Sequence, residues 1–435
     1  MPPRGRKRAA EAEPEARPER LSPSSLGDRE PPPPFFNTTF STHRASPLYV
    51  GTNTLTFPRL QTLSQRLRDT LVGDVVRGVQ VGLGDGDSSL GRAGPLEKVG
   101  IRWVAVDALL GGTDDADVDL SRDMSSDAAG GGDAERKKRG LVFEIRYENA
   151  LCTAVLLPAL SDQAEGGQQD GLKSTSSIHI PGLLSESSSR EDRHFLRLPL
   201  LLLRMPAPLK SVIVDFLSST FDCRISPMRL GTRRLTAAWE RWIADAGLPS
   251  RGPLAKDMVL ALGFYVPSPD TGDGNDDQAS EGLGIKSIDV IIPAEELRRF
   301  AREGKVLASS RAKNGEATER KVLSQGYESD QRQRKRLAGG KADEGWGWID
   351  DGDEKKQEPF LRALGAYLDK HLALDLFHPG VRVTKIACGG FVLAEGRVKV
   401  FVPPNDDDDD DDDNDDQVYP PVKNLVKDLI TSAVS

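Results

Sequence analysis

Cysteine and histidine are the side chains with which this sequence could bind a metal or attack a substrate, and their spacing favours neither. The cysteines lie far apart and none has a C-x-x-C partner, which excludes a disulfide scaffold and a cysteine-rich zinc module. The histidines show no ligand spacing with one another or with the cysteines. We therefore predict structural or exposed roles, and no metal site, for Cys152, Cys223, Cys388, His43, His179, His194, His371 and His378.

The glycine-rich segments do not form a phosphate-binding motif. Gly304-Lys305 is followed by Val306, and Gly340-Lys341 by Ala342, where a P-loop requires Ser or Thr. Gly82–Gly86 follows a strand pattern, but no helix pattern comes after it, so a plain loop is favoured. Neither G-x-S-x-G nor H-E-x-x-H occurs. The sequence predicts no catalytic residue and no cofactor, and therefore a protein that is not an enzyme.

An aspartate run dominates the charge of the chain. The 67 acidic and 58 basic residues give a net charge of -9, and Asp406–Asp413 with Asp415 and Asp416 outweigh that whole excess. The rest of the chain is therefore close to neutral. The run lacks the glycine turn and the alternating ligands of a calcium loop. A solvated acidic segment is the simplest interpretation.

Two kinds of basic cluster point to nuclear partners. Dense clusters in predicted tails and loops are typical of import signals; the candidates are Arg4, Arg6, Lys7, Arg8, Arg332, Arg334, Lys335 and Arg336. A second group alternates along predicted strands while Val398 and Val400 face the core, which predicts one basic sheet surface. No aromatic residues interleave with it, which favours duplex backbone contact over single-strand stacking. This DNA-facing group is Arg382, Lys385, Arg397 and Lys399.

Hydrophobic periodicity supplies the elements that position these residues. Aromatic and β-branched residues predict a strand over 35–44. Thr56 is a plausible N-cap for a helix in which apolar residues recur every three or four positions as far as Val75. A second helix opens at Thr232 and ends before Gly247. Alternating residues predict half-buried strands, including a hairpin near the end of the chain.

Hairpins interleaved with helices, without regular βαβ alternation, predict an α+β fold with a mainly antiparallel sheet, packed helices and long disordered acidic or basic loops. Stretches built from Pro, Gly, Ser and charged residues bury too little apolar surface to fold. The predicted regions are a tail at 1–34, an N-terminal α+β region at 35–266 with insertions at 111–139 and 161–192, a C-terminal α+β region at 285–402 with a sheet edge and an insertion at 303–358, the acidic tract at 403–417 and a helix at 418–435.

No apolar run reaches the roughly 18 residues that a membrane span requires. The first residues are rich in Arg, Pro and Glu and do not resemble a signal segment. The sequence therefore predicts a soluble intracellular protein without a membrane partner.

Two segments resemble centromere protein L of the inner kinetochore, in its fungal-type form. They are FFNTTFSTHRASPLYVG with the helix RLQTLSQRLRDTLVGDVVRGVQVGL, and the C-terminal VRVTKIACGGFVLAEGRVKVFVP. The resemblance is continuous over about 35–110 and 359–402 and thinner between them. It carries no catalytic residues. It implies a nuclear protein of the chromosome, at the centromere and kinetochore, that takes part in chromosome segregation during cell division.

The resemblance also implies partners. Family members belong to the constitutive centromere-associated network, heterodimerise with a centromere protein N-like subunit, contact other inner-kinetochore subunits, and help to anchor them on the centromeric nucleosome, with basic surfaces near DNA. The family pairs through its C-terminal sheet, which suggests strand addition at a sheet edge. The interface residues implied here are Phe391, Val392, Leu393, Arg397, Val398, Lys399, Val400 and Phe401.

Two alternatives to this protein–protein role remain open. A chromatin protein that binds DNA directly would use the basic sheet surface for phosphate contacts. An enzyme on an α+β scaffold would need a site that no motif reveals, since function depends on sites and not on folds.

Overall fold

The computed structural model describes residues 31–52, 54–76, 93–112, 139–159, 194–249, 251–252, 254–265, 285–314, 345–346, 358–403 and 418–434. All statements below concern these residues. The predictions for the acidic tract, for the import-signal candidates and for a strand near residue 80 fall outside them.

Thirteen strands occur in the described residues: β1 Thr39–Ala45, β2 Leu48–Tyr49, β3 Leu96–Ala105, β4 Arg139–Tyr147, β5 Ala150–Leu157, β6 Phe195–Leu196, β7 Leu200–Arg204, β8 Ile225–Pro227, β9 Met258–Phe264, β10 Ser287–Ile292, β11 Val381–Ala387, β12 Phe391–Ala394 and β13 Arg397–Val400. The same residues form seven helices: α1 Phe57–Val76, α2 Val106–Leu109, α3 Ala207–Phe221, α4 Thr232–Ala246, α5 Ala294–Asn314, α6 Pro359–Leu372 and α7 Pro420–Val434.

One antiparallel sheet runs through both predicted α+β regions. Eleven strands take part, in the order β10-β9-β11-β12-β13-β1-β7-β5-β4-β3, with β8 paired to β1 beside that path. The first strand therefore lies at the centre, between β7 and the C-terminal β13. The predicted α+β class with a mainly antiparallel sheet is confirmed. The two regions share this sheet, since β9 of the first pairs with β11 of the second.

Two hydrophobic clusters lie on the two faces of the sheet. The first cluster extends across the whole sheet and packs it against α4, α6 and α7, with Trp239, Phe360 and Phe391 among its largest buried side chains. The second cluster packs α1 and α3 against β3, β4, β5 and β7. No residue of β9 to β13 belongs to the second cluster. One half of the sheet is therefore covered on both faces and the other half mainly on one.

Local sequence signals explain the bounds of helix α4. Leu235, Trp239 and Trp242 recur at three- and four-residue spacing in α4, and all three are buried. Gly247 ends the helix with φ +69° and donates its N–H to the carbonyl of Ile243. Such a positive φ favours glycine at a helix C-terminus. The predicted bounds of this helix, Thr232 to the residue before Gly247, are confirmed.

The prediction of a disordered insertion at 303–358 was wrong for its first residues, which are helical, and for Trp346, which is buried. The helix α5 continues to Asn314, because Ala, Lys, Arg and Leu beyond Phe300 are good helix formers. Trp346 is 3% exposed, and its ring lies 5.1 Å from that of Phe377. Composition predicted a loop here because charged helix formers also abound in unfolded segments.

Candidate binding surface

The C-terminal hairpin of β12 and β13 lies inside the sheet and not at its edge. One side of β12 pairs with β11, and one side of β13 pairs with β1, in addition to the pairing within the hairpin. Strand addition needs unpaired backbone groups. The predicted sheet edge at this hairpin was therefore wrong. The cause is the long-range pairing with β1, which a local pattern does not reveal.

The side chains of this hairpin divide between the two faces. Phe391, Leu393, Val398 and Val400 are no more than 2% exposed and belong to the first cluster. A partner does not reach them in the folded chain, so their predicted place in the interface was wrong. The remaining members of that predicted set point the other way and are partly or fully exposed: Val392, Arg397, Lys399 and Phe401.

Strand register places these side chains in two rows that cross half of the sheet. Directly opposed residues of antiparallel strands lie on the same face. The first row is Ile291, Val259, Ala387, Val392, Lys399 and Thr39. The second row is Asp289, Ala261, Lys385, Ala394, Arg397 and Ser41. We call the surface that these two rows form the open face.

The second row continues into β7, where Ser41 pairs with Leu203 of the second cluster. The open face thus lies on the same side of the sheet as α1 and α3, beyond the strands that these helices cover. Ile291 is 63% exposed, and Val259, Ala387 and Val392 are half-buried. The result is a sheet surface with an apolar row and solvent access, about 24 Å wide at the usual strand spacing of about 4.8 Å.

Three of the four predicted DNA-facing cations lie on the open face. Lys385 and Arg397 share the second row, and Lys399 lies in the first. Lys399 and Lys256 approach the ring of Phe401, with Nζ 5.0 Å and 5.3 Å from its centroid. Both distances are in the range of a cation–π contact. The expectation that no aromatic residue lies among these cations was therefore wrong.

Arg382, the fourth cation, was predicted wrongly as DNA-facing. It is 9% exposed, and its Nη1 donates to the carbonyls of Pro379 at 2.6 Å and Val381 at 2.9 Å. Gly345 lies so close to the guanidinium that a Cβ there would collide with it. Simple alternation would place Arg382 and Lys385 on opposite faces, and the register shift between Val383 and Lys385 brings them to the same face. The sequence pattern also did not show that the chain folds over Arg382.

A small basic pocket borders the open face where β1 changes partner from β13 to β8. Its volume is about 280 Å³. Burial lowers the pKa of Lys210, and the nearby charge of Arg397 lowers it further. Burial also lowers the pKa of His43, the carbonyl of Ser41 partly offsets this, and the charge of Lys210 adds to the lowering. Sequence reasoning missed this pocket, because its residues come from four separate segments.

A buried pair of carboxyl groups lies on the other side of the sheet. Burial raises the pKa of Glu240 to about 7, although backbone N–H groups at Leu361 and Phe360 counteract the shift. Burial raises the pKa of Glu358 to about 8, and the charge of Glu240 contributes. The pair joins α4 to the start of α6. No sequence motif marks it.

Burial also affects the thiols of the described residues. Burial raises the pKa of Cys152 and of Cys388 to about 11, so both thiols stay protonated near neutral pH. No cluster of three His, Cys, Asp or Glu side chains with metal-binding geometry occurs among the residues described. In that same part of the chain, no helix has the length and apolarity to cross a bilayer.

Comparison with known proteins gives one result for almost the whole chain. The model of a protein family described as centromere protein L matches residues 34–434. The match includes β1 at the centre of the sheet, the open face and α7. No curated protein matches the sequence.

Proposed function

The chain belongs to the centromere protein L family, and we propose that it is a non-enzymatic inner-kinetochore subunit that pairs with a centromere protein N-like subunit and helps to anchor the kinetochore to centromeric chromatin. Membership makes it a centromere and kinetochore protein of the nucleus. Pairing, anchoring and the lack of catalysis are the proposed part.

The observation that carries the proposal is the open face. A row of Ile291, Val259, Ala387 and Val392 gives it an apolar centre, and Lys385 and Lys399 lie beside that row. Interfaces between folded subunits combine an apolar core with a polar rim. Contiguous apolar patches on a protein surface often mark such contacts.

In this arrangement the partner is a folded protein that binds side chains of the open face. Val392, Lys399 and Phe401 belong to the contact, together with Arg397 at its margin. The outer margin of this surface is apolar, because Ile291 in β10 is 63% exposed and Ile285, just before this strand, is 69% exposed. A stable complex requires about 1,200 Å² of total buried area, so the contact extends beyond the two rows of the open face.

The decisive experiment is co-purification with a centromere protein N-like subunit. We expect one peak containing both chains on gel filtration at micromolar concentration. Two separate peaks would rule out the stable heterodimer. A catalytic role would instead appear as turnover by the purified chain alone.

Direct DNA binding is the second candidate function. It is favoured by the common location of Lys385, Arg397 and Lys399, which form no ion pair within the described residues. Phosphate contacts of such side chains make binding depend on salt concentration. The salt dependence of DNA binding therefore distinguishes this candidate.

A further inference from the structure

The pocket beside the open face is built where three strands and a helix meet. The partner of β1 changes from β13, which ends at the pair Ser41 and Arg397, to β8, which begins at the pair His43 and Pro227. The turn between β12 and β13 and the first part of α3 complete the wall. The lining residues are Ser41, Thr42, His43, Lys210, Pro227, Met228, Arg229, Glu395 and Gly396.

Positive charge converges on this pocket. Lys210 and Arg229 line it, and Arg397 lies next to Gly396 at its rim. The charge of Arg397 is close enough to disfavour protonation of Lys210. None of these three side chains forms an ion pair in the described part of the chain. We call Lys210, Arg229 and Arg397 the cation corner.

The other polar groups of the lining leave this charge largely uncompensated. The hydroxyl of Ser41 donates to the carbonyl of Leu203 at 3.2 Å, and that of Thr42 to the carbonyl of Met228 at 3.1 Å. Glu395 is the carboxylate of the lining, and it is exposed. Three cations against one carboxylate leave an excess of positive charge in a concave site. A bound anion would relieve the repulsion between Lys210 and Arg397.

We propose that the cation corner binds the phosphoryl group of a phosphoserine or phosphothreonine in a partner protein. Such a group carries a charge of about -1.5 to -2 at neutral pH and three strong acceptor oxygens, and basic clusters bind it through charge-assisted hydrogen bonds. This inference rests on the proposed function: the phosphorylated segment belongs to the subunit that occupies the open face.

The surroundings of the corner favour a peptide over a DNA duplex. A duplex presents phosphates in a continuous series, so it needs cations spread along a stripe. The row that leads away from Arg397 is instead Ala394, Lys385, Ala261 and Asp289, with one cation and one carboxylate. The row beside it continues from Lys399 through Val392, Ala387 and Val259 to Ile291, which are apolar. Apolar side chains beside a phosphate pocket fit an extended peptide that continues along the sheet.

The test measures phosphate-dependent binding by the full chain. The probe is a short Gly/Ala peptide with one central phosphoserine, followed by ³¹P NMR, and the reference is the same peptide without phosphate, followed by proton NMR. We expect binding of the phosphorylated peptide only. Loss of one charged hydrogen-bond partner should weaken it about tenfold or more in Lys210→Gln and in Arg397→Gln. Arg229→Gln, an exposed position, provides a third variant if either of these fails to fold.

Arg66→Gln is the matched control, because it removes one exposed cation from α1 far from the corner in the sequence. Its affinity should stay within about twofold of the wild-type value, a change of less than roughly 0.5 kcal/mol. Equal binding of both peptides, or unchanged affinity in all folded corner variants, would overturn the proposal. In another outcome, a short DNA duplex at equal phosphate concentration displaces the peptide and loses its own binding in the same variants. That result would assign the corner to nucleic acid and would also overturn the proposal. If the chain forms the heterodimer but does not bind the phosphopeptide, the phosphate-site inference is wrong and the proposed pairing still stands.

Discussion

Glu240 on α4 accepts a hydrogen bond at 3.0 Å from the backbone N–H of Leu361, near the start of α6. The residue before α6, Glu358, makes no capping hydrogen bond of its own, and Pro359 occupies the first turn. A helix start leaves several N–H groups without intrahelical partners. A side chain from one helix therefore caps another, which fixes α6 against α4.

Removal of this cap should destabilise the chain. We expect Glu240→Ala to lower the free energy of unfolding by about 1–2 kcal/mol, since a buried N–H loses its acceptor. Glu240→Gln keeps an acceptor oxygen and should cost less. Urea denaturation at pH 6 measures both. Equal losses in the two variants would show that the hydrogen bond to Leu361 is not the cause.

The same carboxyl pair should make stability depend on pH. The pKa values of Glu240 and Glu358 rise from 4.5 to about 7 and about 8, mainly through burial; Thr236, Arg362 and Arg233 partly oppose the shift at Glu358. Between about pH 4.5 and pH 8 the unfolded chain has released these protons and the folded chain retains them. Stability from this pair is therefore greatest at the acidic end and falls as pH rises.

Glu358→Gln should flatten that dependence. An uncharged amide at this position has no proton to lose, so the variant should lose less stability than the wild type between pH 5 and pH 8. Glu97→Gln, on the exposed part of β3, is the control with the same chemical change. Thermal unfolding across this pH series provides the measurement. Parallel curves for wild type and Glu358→Gln would show that the buried pair does not titrate in this range.

A close approach between Gly390 and Trp242 predicts a steric effect of a single methyl group. A Cβ at Gly390 would overlap the indole of Trp242, whose ring also lies 5.1 Å from that of Phe391. Overpacking of a core typically costs about 1–3 kcal/mol, and we expect Gly390→Ala to lose that much in denaturant unfolding. Gly100→Ala on β3 is the control, because a Cβ there meets no atom within 4 Å. Comparable stability of the two variants would contradict the packing argument.

The sequence predicted local elements well, because their signals are local. Helix α4 shows this: its apolar period and Gly247 define it within one segment. The order of the strands was not predictable in this way, since β1 pairs with β13 across most of the chain. The alternation in Arg397–Val400 indicates which side chains are buried. A central strand and an edge strand show the same alternation, so the pattern does not tell them apart.

For the candidate site, the same limit applies. Arg397 and Lys399 could be assigned to one surface from alternation alone, whereas Lys385 joins them through the pairing of β11 with β12. The burial of Arg382 depends on Gly345, and the cation corner depends on Lys210 and Arg229. These residues approach only when distant segments pack, so no spacing in the sequence encodes their contact.

If DNA binding is the function of the open face, its cations should determine the salt dependence. Each neutralised phosphate contributes about 0.9 to the logarithmic slope of affinity against salt. Replacing Lys385, Arg397 and Lys399 together with alanine should then reduce the slope measured for the complex with its partner. An unchanged slope would show that these residues do not contact DNA. Arg382→Ala should instead reduce stability, because its guanidinium hydrogen-bonds backbone carbonyls.

Pairing with a partner subunit should depend on the apolar row of the open face. Val392 lies at the inner end of that row, between Ala387 and Lys399, and is half-buried in the free chain. A charge in the core of an interface loses hydration without gaining a partner, which costs several kcal/mol. We therefore expect Val392→Glu to eliminate co-elution with a centromere protein N-like subunit on gel filtration.

The control for this experiment is Val72→Glu on α1. Val72 is 46% exposed and lies on a helix that covers the other half of the sheet, so the same chemical change there should leave co-elution intact. Thermal unfolding of both variants shows whether each still folds, since Val392→Glu also borders the core. Co-elution of a folded Val392→Glu variant would move the partner away from the open face, and the outer strand β10 with Ile291 would become the position to mutate next.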